Sequence, residues 1–184
     1  MSNQESLHGK TVAIISTHGF EQSELIKPKQ ELEALGATTH VVSINGDASI
    51  KGWDEKDWGD SVAVDKQIED VMPADYNAIV LPGGQINPDI LRNNEDVVDF
   101  IQFASEQDKI KAIAAICHGP WLLVEAGMVK DKDVTSYPSI RTDVENAGGK
   151  WQNKTVVTDG KLVTSRNPDD IPDFVEAIAE KLAA

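Results

Sequence analysis

The chain has one cysteine in 184 residues, few aromatic residues (5%) and a shortage of positive charge. A single cysteine excludes an intrachain disulfide, so the sequence does not indicate an oxidising compartment. Lysine and arginine number 17 against 31 aspartate and glutamate residues, which gives a net charge of −14. This acidity argues against nucleic acids and anionic membranes as partners.

Long hydrophobic runs are also missing. No apolar stretch approaches the roughly 20 residues that cross a bilayer, and Met1 to Lys10 are polar without a signal-peptide core. The four histidines, at positions 8, 18, 40 and 118, lack the spacing of zinc ligands. We therefore expect a cytoplasmic protein that does not bind membranes and uses neither a metal nor another cofactor.

Short apolar runs alternate with helical patterns along the chain. This order predicts an α/β fold in one domain, residues 1–184, with a mostly parallel sheet covered by helices on both faces. The predicted strands are Lys10–Ser16, His40–Ile44, Ser61–Asp65, Ala78–Leu81, Lys111–Ile116 and Val134–Tyr137. The predicted helices are Glu24–Leu35, with a break or its true start near Pro28, Asn94–Gln107, Ser139–Ala147 and Asp169–Leu182. Asp159-Gly160 predicts a hairpin between Thr155–Thr158 and Lys161–Ser165, and Asn45–Asp60 reads as an excursion from the core.

The residues around Cys117 carry the strongest functional signal. Lys111–Ile116 is typical of a buried strand and Pro120 of a helix start, which places Cys117 in a tight turn at the carboxyl edge of the sheet. Open α/β folds bind ligands at this edge, and the N–H groups of a following helix favour a thiolate. Cys117 is therefore a candidate nucleophile in an elbow. The alternative is a buried, inert thiol.

Two further loops are expected at the same edge of the sheet. Glu21 is the carboxylate expected to approach Cys117, where a protonated carboxyl would stabilise the thiolate. A solvated glutamate at a helix cap is the alternative. Gly83 and Gly84 follow a strand, and their N–H groups could form an oxyanion hole with that of His118. A plain turn is the alternative for these glycines.

His118 is a candidate general base or acid. Adjacent side chains usually point in different directions, so a third group must orient its imidazole. No histidine follows position 118, which excludes the Ser/Cys…Asp…His order of α/β-hydrolases and glutamine amidotransferases. His18, Trp121 and Tyr137 are expected to line the pocket.

Three motifs together resemble the PfpI family, the branch of the ThiJ/PfpI superfamily named for an intracellular protease. They are the Cys-His-Gly-Pro elbow within Ala115–Pro120, Leu81–Gly84 and Phe20-Glu21. The resemblance implies a flavodoxin-like three-layer sandwich of the class I glutamine amidotransferase-like type. It further implies that Cys117 is the nucleophile, that Glu21 is the active-site glutamate and that His118 is the active-site histidine.

The same resemblance implies that Asp89 from a neighbouring subunit orients His118. This role requires a homo-oligomer, either a dimer or a larger assembly such as a hexamer. The chain departs from the family at two places, because Asp89 stands where glutamate is frequent and Trp121 where glutamine is common. The shorter Asp89 puts the triad geometry in question, and Trp121 would narrow the pocket mouth.

The family has been assigned peptidase, glyoxalase, deglycase and stress-response activities. We expect a stress-protective, cofactor-free enzyme in which Cys117 acts on small reactive carbonyls and converts methylglyoxal to lactate. One alternative is a cysteine peptidase or amidase whose Cys117–His118–Asp89 triad is completed across a subunit interface. Another is a redox-sensing protein whose oxidised Cys117 is stabilised by the neighbouring carboxyl.

Overall fold

A seven-stranded sheet forms the centre of the fold in the computed structural model, which describes residues 6–184. The expectation about the polar start of the chain lies, for residues 1–5, outside the described residues. In spatial order the strands are β10 (Val157–Asp159), β11 (Leu162–Ser165), β7 (Ala112–Ile116), β6 (Ala78–Leu81), β1 (Thr11–Ile15), β2 (Thr38–Ser43) and β5 (Lys66–Gln67). All neighbours pair in parallel except β10 and β11, which form the hairpin that Asp159-Gly160 predicted.

Helices cover both faces of the sheet, which confirms the three-layer sandwich. Helices α1 (Gln22–Ala34) and α6 (Ile171–Ala183) pack on one face. The other face carries α2 (Ile86–Leu91), α3 (Glu95–Glu106), α4 (Pro120–Glu125) and α5 (Arg141–Asn146). Among residues 6–184, no helix combines the length and the apolar character that crossing a membrane requires.

Strand β7 shows how the sequence builds the two cores. All five of its residues are buried. Side chains alternate across a strand, so Ala114 and Ile116 contact the α1–α6 core while Ile113 and Ala115 contact the opposite core. A continuous apolar run of this kind is typical of a central parallel strand. It fixes Cys117 directly above the sheet's carboxyl edge.

Several elements differ from their predictions. Pro28 lies inside an uninterrupted α1, where it only removes one backbone donor. The strand expected at Val134–Tyr137 is limited to β8 (Asp133–Val134), which pairs with β9 (Lys150–Trp151). It ends early because Pro138 begins a 3₁₀ turn. The helix expected from Ser139 therefore starts only at Arg141. The segment Asn45–Asp60, expected to leave the core, contributes to an antiparallel hairpin of β3 (Ser49–Asp54) and β4 (Asp57–Ala63). Helix α2, which follows Gly83-Gly84, was not predicted from the sequence.

Candidate active site

Cys117 lies at a sharp turn between β7 and α4. Its φ of 63° is in the left-handed region, which non-glycine residues rarely adopt except at strained functional positions. The turn is tied at both ends, because the Cys117 N–H donates to the Ser165 carbonyl at 3.0 Å and the Tyr137 N–H donates to the Cys117 carbonyl at 2.8 Å. Gly119 is required for the turn, since a Cβ there would lie 2.4 Å from the Leu81 carbonyl oxygen. Cys117 thus lies between a strand and a helix in a tight turn.

The carboxyl group that reaches Cys117 belongs to Glu24 and not to Glu21. Glu24 lies in the first turn of α1 and is completely buried; its Oε1 accepts the Gly83 N–H at 3.1 Å, and its carboxyl interacts with the thiol. Glu21 precedes the helix, is half-buried and pairs through its backbone with Trp53. The expectation for Glu21 is corrected by three residues, because α1 starts at Gln22 and turns Glu24 towards the sheet.

Burial controls the protonation of the Glu24–Cys117 pair. Burial, together with the charge of Glu21, raises the pKa of Glu24 to about 8, so this carboxyl is protonated at neutral pH. Burial also raises the pKa of the Cys117 thiol, and a negative charge on Glu24 would raise it further. The backbone N–H groups of Gly84 and His118 act in the opposite direction. The structure therefore does not support a lowered thiol pKa in the free protein, and the thiol needs a base.

His118 is placed to be that base. Its Nδ1 lies 3.3 Å from the Cys117 Sγ, and its Nε2 lies 3.3 Å from the Ser139 Oγ. Adjacent side chains usually point in different directions, but those of Cys117 and His118 meet because Cys117 has left-handed backbone geometry. Burial lowers the pKa of His118, which keeps the imidazole neutral and able to accept a proton at pH 7.

Two aromatic rings hold the His118 imidazole. The Tyr137 ring stacks on it with centroids 4.8 Å apart, and the Trp121 ring contacts it edge-on at 5.0 Å. Trp121 is itself fixed, because its indole N–H donates to Asp143 at 2.9 Å and the Arg92 guanidinium lies 4.4 Å over its ring. Trp121 lines the cleft, whereas Tyr137 contacts His118 without lining it. Arg92 and Asp143 are additions that no sequence pattern indicated.

A cleft of about 490 Å³ opens onto His118. It is lined by Gln85, Ile86, Asp89, Ile90, His118, Trp121, Ser139, Ile140 and Asp143. Cys117 is only 7% exposed and is absent from this lining. A reactant in the cleft therefore meets His118 and the aromatic wall before it reaches the sulfur, which favours small electrophiles.

The two glycines after β6 have different roles. The Gly83 N–H is taken by Glu24, so it is not available to an oxyanion. A Cβ at Gly83 would lie 2.5 Å from the Glu24 Oε1 and 2.7 Å from the Cys117 Cβ, so only glycine fits between them. The Gly84 N–H faces the sulfur together with the His118 N–H. Of the predicted donors, the geometry thus supports Gly84 and His118.

Comparison with known proteins places this geometry in a family. The sequence profile of the DJ-1/PfpI family matches residues 10–181. The chain belongs to the DJ-1/PfpI family. General stress protein 18 of Bacillus subtilis is 41% identical, with 90% of this chain and 94% of the relative covered.

Two other relatives of similar length carry enzymatic names. Protein/nucleic acid deglycase 2 of Escherichia coli is 37% identical, with 90% of this chain and 93% of the relative covered. YraA of Bacillus subtilis, named as a candidate cysteine protease, is 35% identical, with 90% and 94% covered. A two-domain protein of Anabaena variabilis, with DJ-1/ThiJ/PfpI-like and ferritin-like domains, has a solved structure with a TM-score of 0.87 and 34% identity. The match covers 94% of this chain but 48% of that protein, so the chain spans about half its length.

Asp89, the carboxylate that the DJ-1/PfpI resemblance assigns to the neighbouring subunit, lies at the cleft mouth. Within the chain it accepts a hydrogen bond from Arg92 at 2.7 Å. The group that meets His118 Nε2 is Ser139. The role of Asp89 across a subunit interface stays a prediction, as does the homo-oligomer that it requires.

His18 lies away from the cleft, contrary to expectation. Its Nδ1 accepts the Lys51 N–H at 3.0 Å, and its Nε2 lies 3.3 Å from the Asp47 Oδ2. It therefore ties the loop after β1 to the β3–β4 hairpin. Within residues 6–184, no group of three histidine, cysteine, aspartate or glutamate side chains is arranged to hold a metal ion.

Proposed function

We propose that this DJ-1/PfpI protein is a cofactor-free enzyme that uses Cys117 to convert small 2-oxoaldehydes, such as methylglyoxal, to 2-hydroxy acids. The observation that carries the proposal is the buried Glu24 carboxyl against the only thiol, with its pKa raised to about 8. A group with a pKa near the working pH both donates and accepts a proton with little penalty. Isomerising a dicarbonyl adduct needs a proton shuttle of this kind.

The first step forms a bond between the sulfur and the aldehyde carbon. The thiol proton passes to Nδ1 of neutral His118, and the N–H groups of Gly84 and His118 stabilise the new oxyanion until the imidazolium returns that proton to it. The product of this step is a hemithioacetal on Cys117. The carbonyl carbon next to it is still a ketone.

The second step moves a proton between the two carbons. Glu24, in its ionised form, takes the proton from the sulfur-bearing carbon and returns it to the neighbouring carbon. The hydroxyl proton of the first carbon moves to the oxygen of the second, so the first carbon is oxidised and the second reduced. This internal exchange needs no external oxidant and gives a thioester of the 2-hydroxy acid. Water then cleaves the thioester, releasing lactate in the case of methylglyoxal and restoring the thiol.

The geometry favours small carbonyls over peptides. The Cys117–His118–Asp89 triad needs a carboxylate on His118, but within the chain Nε2 meets the Ser139 hydroxyl and Asp89 is paired with Arg92. The buried sulfur also lies behind the cleft lining rather than along an open groove. A peptidase completed by a second subunit stays the alternative, and the names of the deglycase and stress-protein relatives support a protective role against carbonyls.

The test is methylglyoxal consumption coupled to chiral detection of lactate, in buffer free of amines and thiols. Wild-type protein is expected to form one lactate enantiomer over many turnovers per subunit. Protein whose single cysteine has been blocked with iodoacetamide is expected to form none. Carbonyl loss without lactate would mean trapping and would contradict the proposal. Peptide cleavage by the same unblocked thiol would then favour the peptidase.

A second candidate function, redox sensing, is supported by one observation. The second carboxyl oxygen of Glu24, Oε2, is buried and has no hydrogen-bond partner of ordinary geometry among residues 6–184. If Cys117 is oxidised to a sulfinate, protonated Glu24 can donate to a sulfinate oxygen. We expect mild peroxide to add two oxygens to Cys117 before the methionines are oxidised, as measured by mass spectrometry of peptides. Earlier oxidation of Met72, which is exposed, would count against this role.

A further inference from the structure

The hydrogen bond at the far side of the His118 ring points to a role for Ser139. The Ser139 Oγ lies 3.3 Å from Nε2, while the opposite ring nitrogen, Nδ1, lies 3.3 Å from the Cys117 Sγ. His118 is buried, whereas Ser139 is exposed and lines the cleft. The serine hydroxyl is therefore placed between the buried imidazole and the solvent.

The protonation of the neighbours selects one tautomer of His118. Glu24 is protonated at neutral pH and so offers the thiol no carboxylate to bond, which leaves the Cys117 S–H free to donate to Nδ1. A neutral imidazole that accepts at Nδ1 carries its proton on Nε2. That proton has the Ser139 Oγ as its acceptor. The two contacts of His118, with Cys117 and with Ser139, then each have a donor facing an acceptor.

We propose that Ser139 is a positioning residue that holds His118 in the Nε2–H tautomer and so aims its Nδ1 lone pair at Cys117. The proposal rests on the proposed role of Cys117 as nucleophile but not on any particular substrate. Ser139 takes the place that a carboxylate occupies in a Cys-His-Asp triad. A hydroxyl stabilises an imidazolium less than a carboxylate does, so His118 works here as a neutral base.

The surrounding groups are consistent with this assignment. Tyr137 and Trp121 hold the plane of the ring but give Nε2 no acceptor. On the cleft side the charged groups are occupied elsewhere: Asp143 accepts from Trp121, and Asp89 accepts from Arg92. On the sulfur side the titratable group is Glu24. Within residues 6–184, Ser139 is thus the hydrogen-bond partner of Nε2.

The single cysteine allows a direct test without any substrate. Iodoacetamide alkylation in the native protein reports only Cys117, so its rate against pH measures how readily the thiol loses its proton to His118. The variants are Ser139→Ala, Ser139→Thr, Ser139→Asp and Asp89→Asn, with Ser61→Ala as a matched loss of an exposed serine hydroxyl on β4. Thermal unfolding of each variant shows that it is folded.

We expect Ser139→Ala to slow alkylation at pH 7 by about 3- to 10-fold, the range that one hydrogen bond of this kind supplies. Ser139→Thr, which keeps the hydroxyl, should restore the rate to within about twofold, and Ser61→Ala should leave it unchanged. Ser139→Asp should shift the profile to lower pH, because a carboxylate favours the imidazolium–thiolate pair. The ring ¹⁵N spectrum of wild-type His118 should show the proton on Nε2.

Two results would overturn the proposal. One is a Ser139→Ala profile that superimposes on the wild-type profile. The other is a shift produced by Asp89→Asn alone, which would show that a partner's carboxylate holds His118. Since no dicarbonyl is used, failure of lactate formation with a normal Ser139 response would reject only the proposed function.

Discussion

Glu24→Gln is expected to lower kcat/KM for methylglyoxal by about 100- to 1000-fold, the range of a lost proton-transfer group. Glutamine keeps the size of the side chain and an oxygen that can accept the Gly83 N–H. It cannot exchange a proton, so the isomerisation of the hemithioacetal stops while addition to the thiol continues. Steady-state lactate formation measures the loss, and adduct mass on Cys117 shows the stalled intermediate.

Glu21→Gln is the matched control, since it makes the same chemical change three residues earlier on the chain. Its activity is expected to stay within about threefold of wild type, because Glu21 is not in contact with the thiol. The charge of Glu21 contributes to the raised pKa of Glu24. Its removal should therefore shift the acid limb of the pH–rate profile, where Glu24 ionises to become the base, to lower pH. Equal losses in the two variants would reject the assignment of Glu24.

Raising the pH from about 5 to about 9 is expected to destabilise the protein, because the ionisation of Glu24 lowers the free energy of unfolding. The expected loss is a few kcal/mol, since each unit of difference between the folded and unfolded pKa corresponds to about 1.4 kcal/mol. Burial raises the pKa of Glu24 to about 8 in the folded protein, against about 4.3 in an unfolded chain. Below the unfolded pKa both states hold the proton and the stability is fully present. Between the two values the unfolded state releases its proton more readily, so stability falls until the folded pKa is passed.

The measurement is urea unfolding at a series of pH values. Glu24→Gln should remove most of the decline and should be more stable than wild type at pH 9, where the wild-type carboxyl is ionised in a buried position. Glu176→Gln, on the exposed side of α6, should retain the wild-type slope. A Glu24→Gln curve parallel to the wild-type curve would show that the buried carboxyl does not titrate in this range.

The sheet and the elbow could be predicted from the sequence because their signals are local. The apolar run before Cys117, the glycine after His118 and the proline at the helix start occur within ten residues, and Asp159-Gly160 marks its hairpin. The sequence signals that set where a helix begins are less local. Glu21 and Glu24 differ by less than one helical turn, and which of them faces the sheet depends on where α1 starts and packs.

Ser139 could not be predicted, for a different reason. It lies 21 positions beyond His118, in a segment whose sequence predicted a strand continuing to Tyr137. The Tyr137 N–H instead donates to the Cys117 carbonyl, and the turn at Pro138 then brings Ser139 against the imidazole. This contact depends on tertiary structure, and no spacing rule expresses it. The raised pKa of Glu24 likewise follows from burial, which composition and spacing do not report.

The backbone ties of Cys117 have a consequence for how this protein can diversify. Its N–H and carbonyl are both held, by Ser165 and Tyr137, so the position of the sulfur is set by the rigid centre of the molecule. The rest of the cleft wall, beyond His118 and Trp121, comes in contrast from two separate surface segments, residues 85–90 and 139–143. Substitutions in those segments can change which molecules enter without moving the reacting atom. Reactivity and selectivity are therefore encoded in different stretches of the chain and can evolve independently.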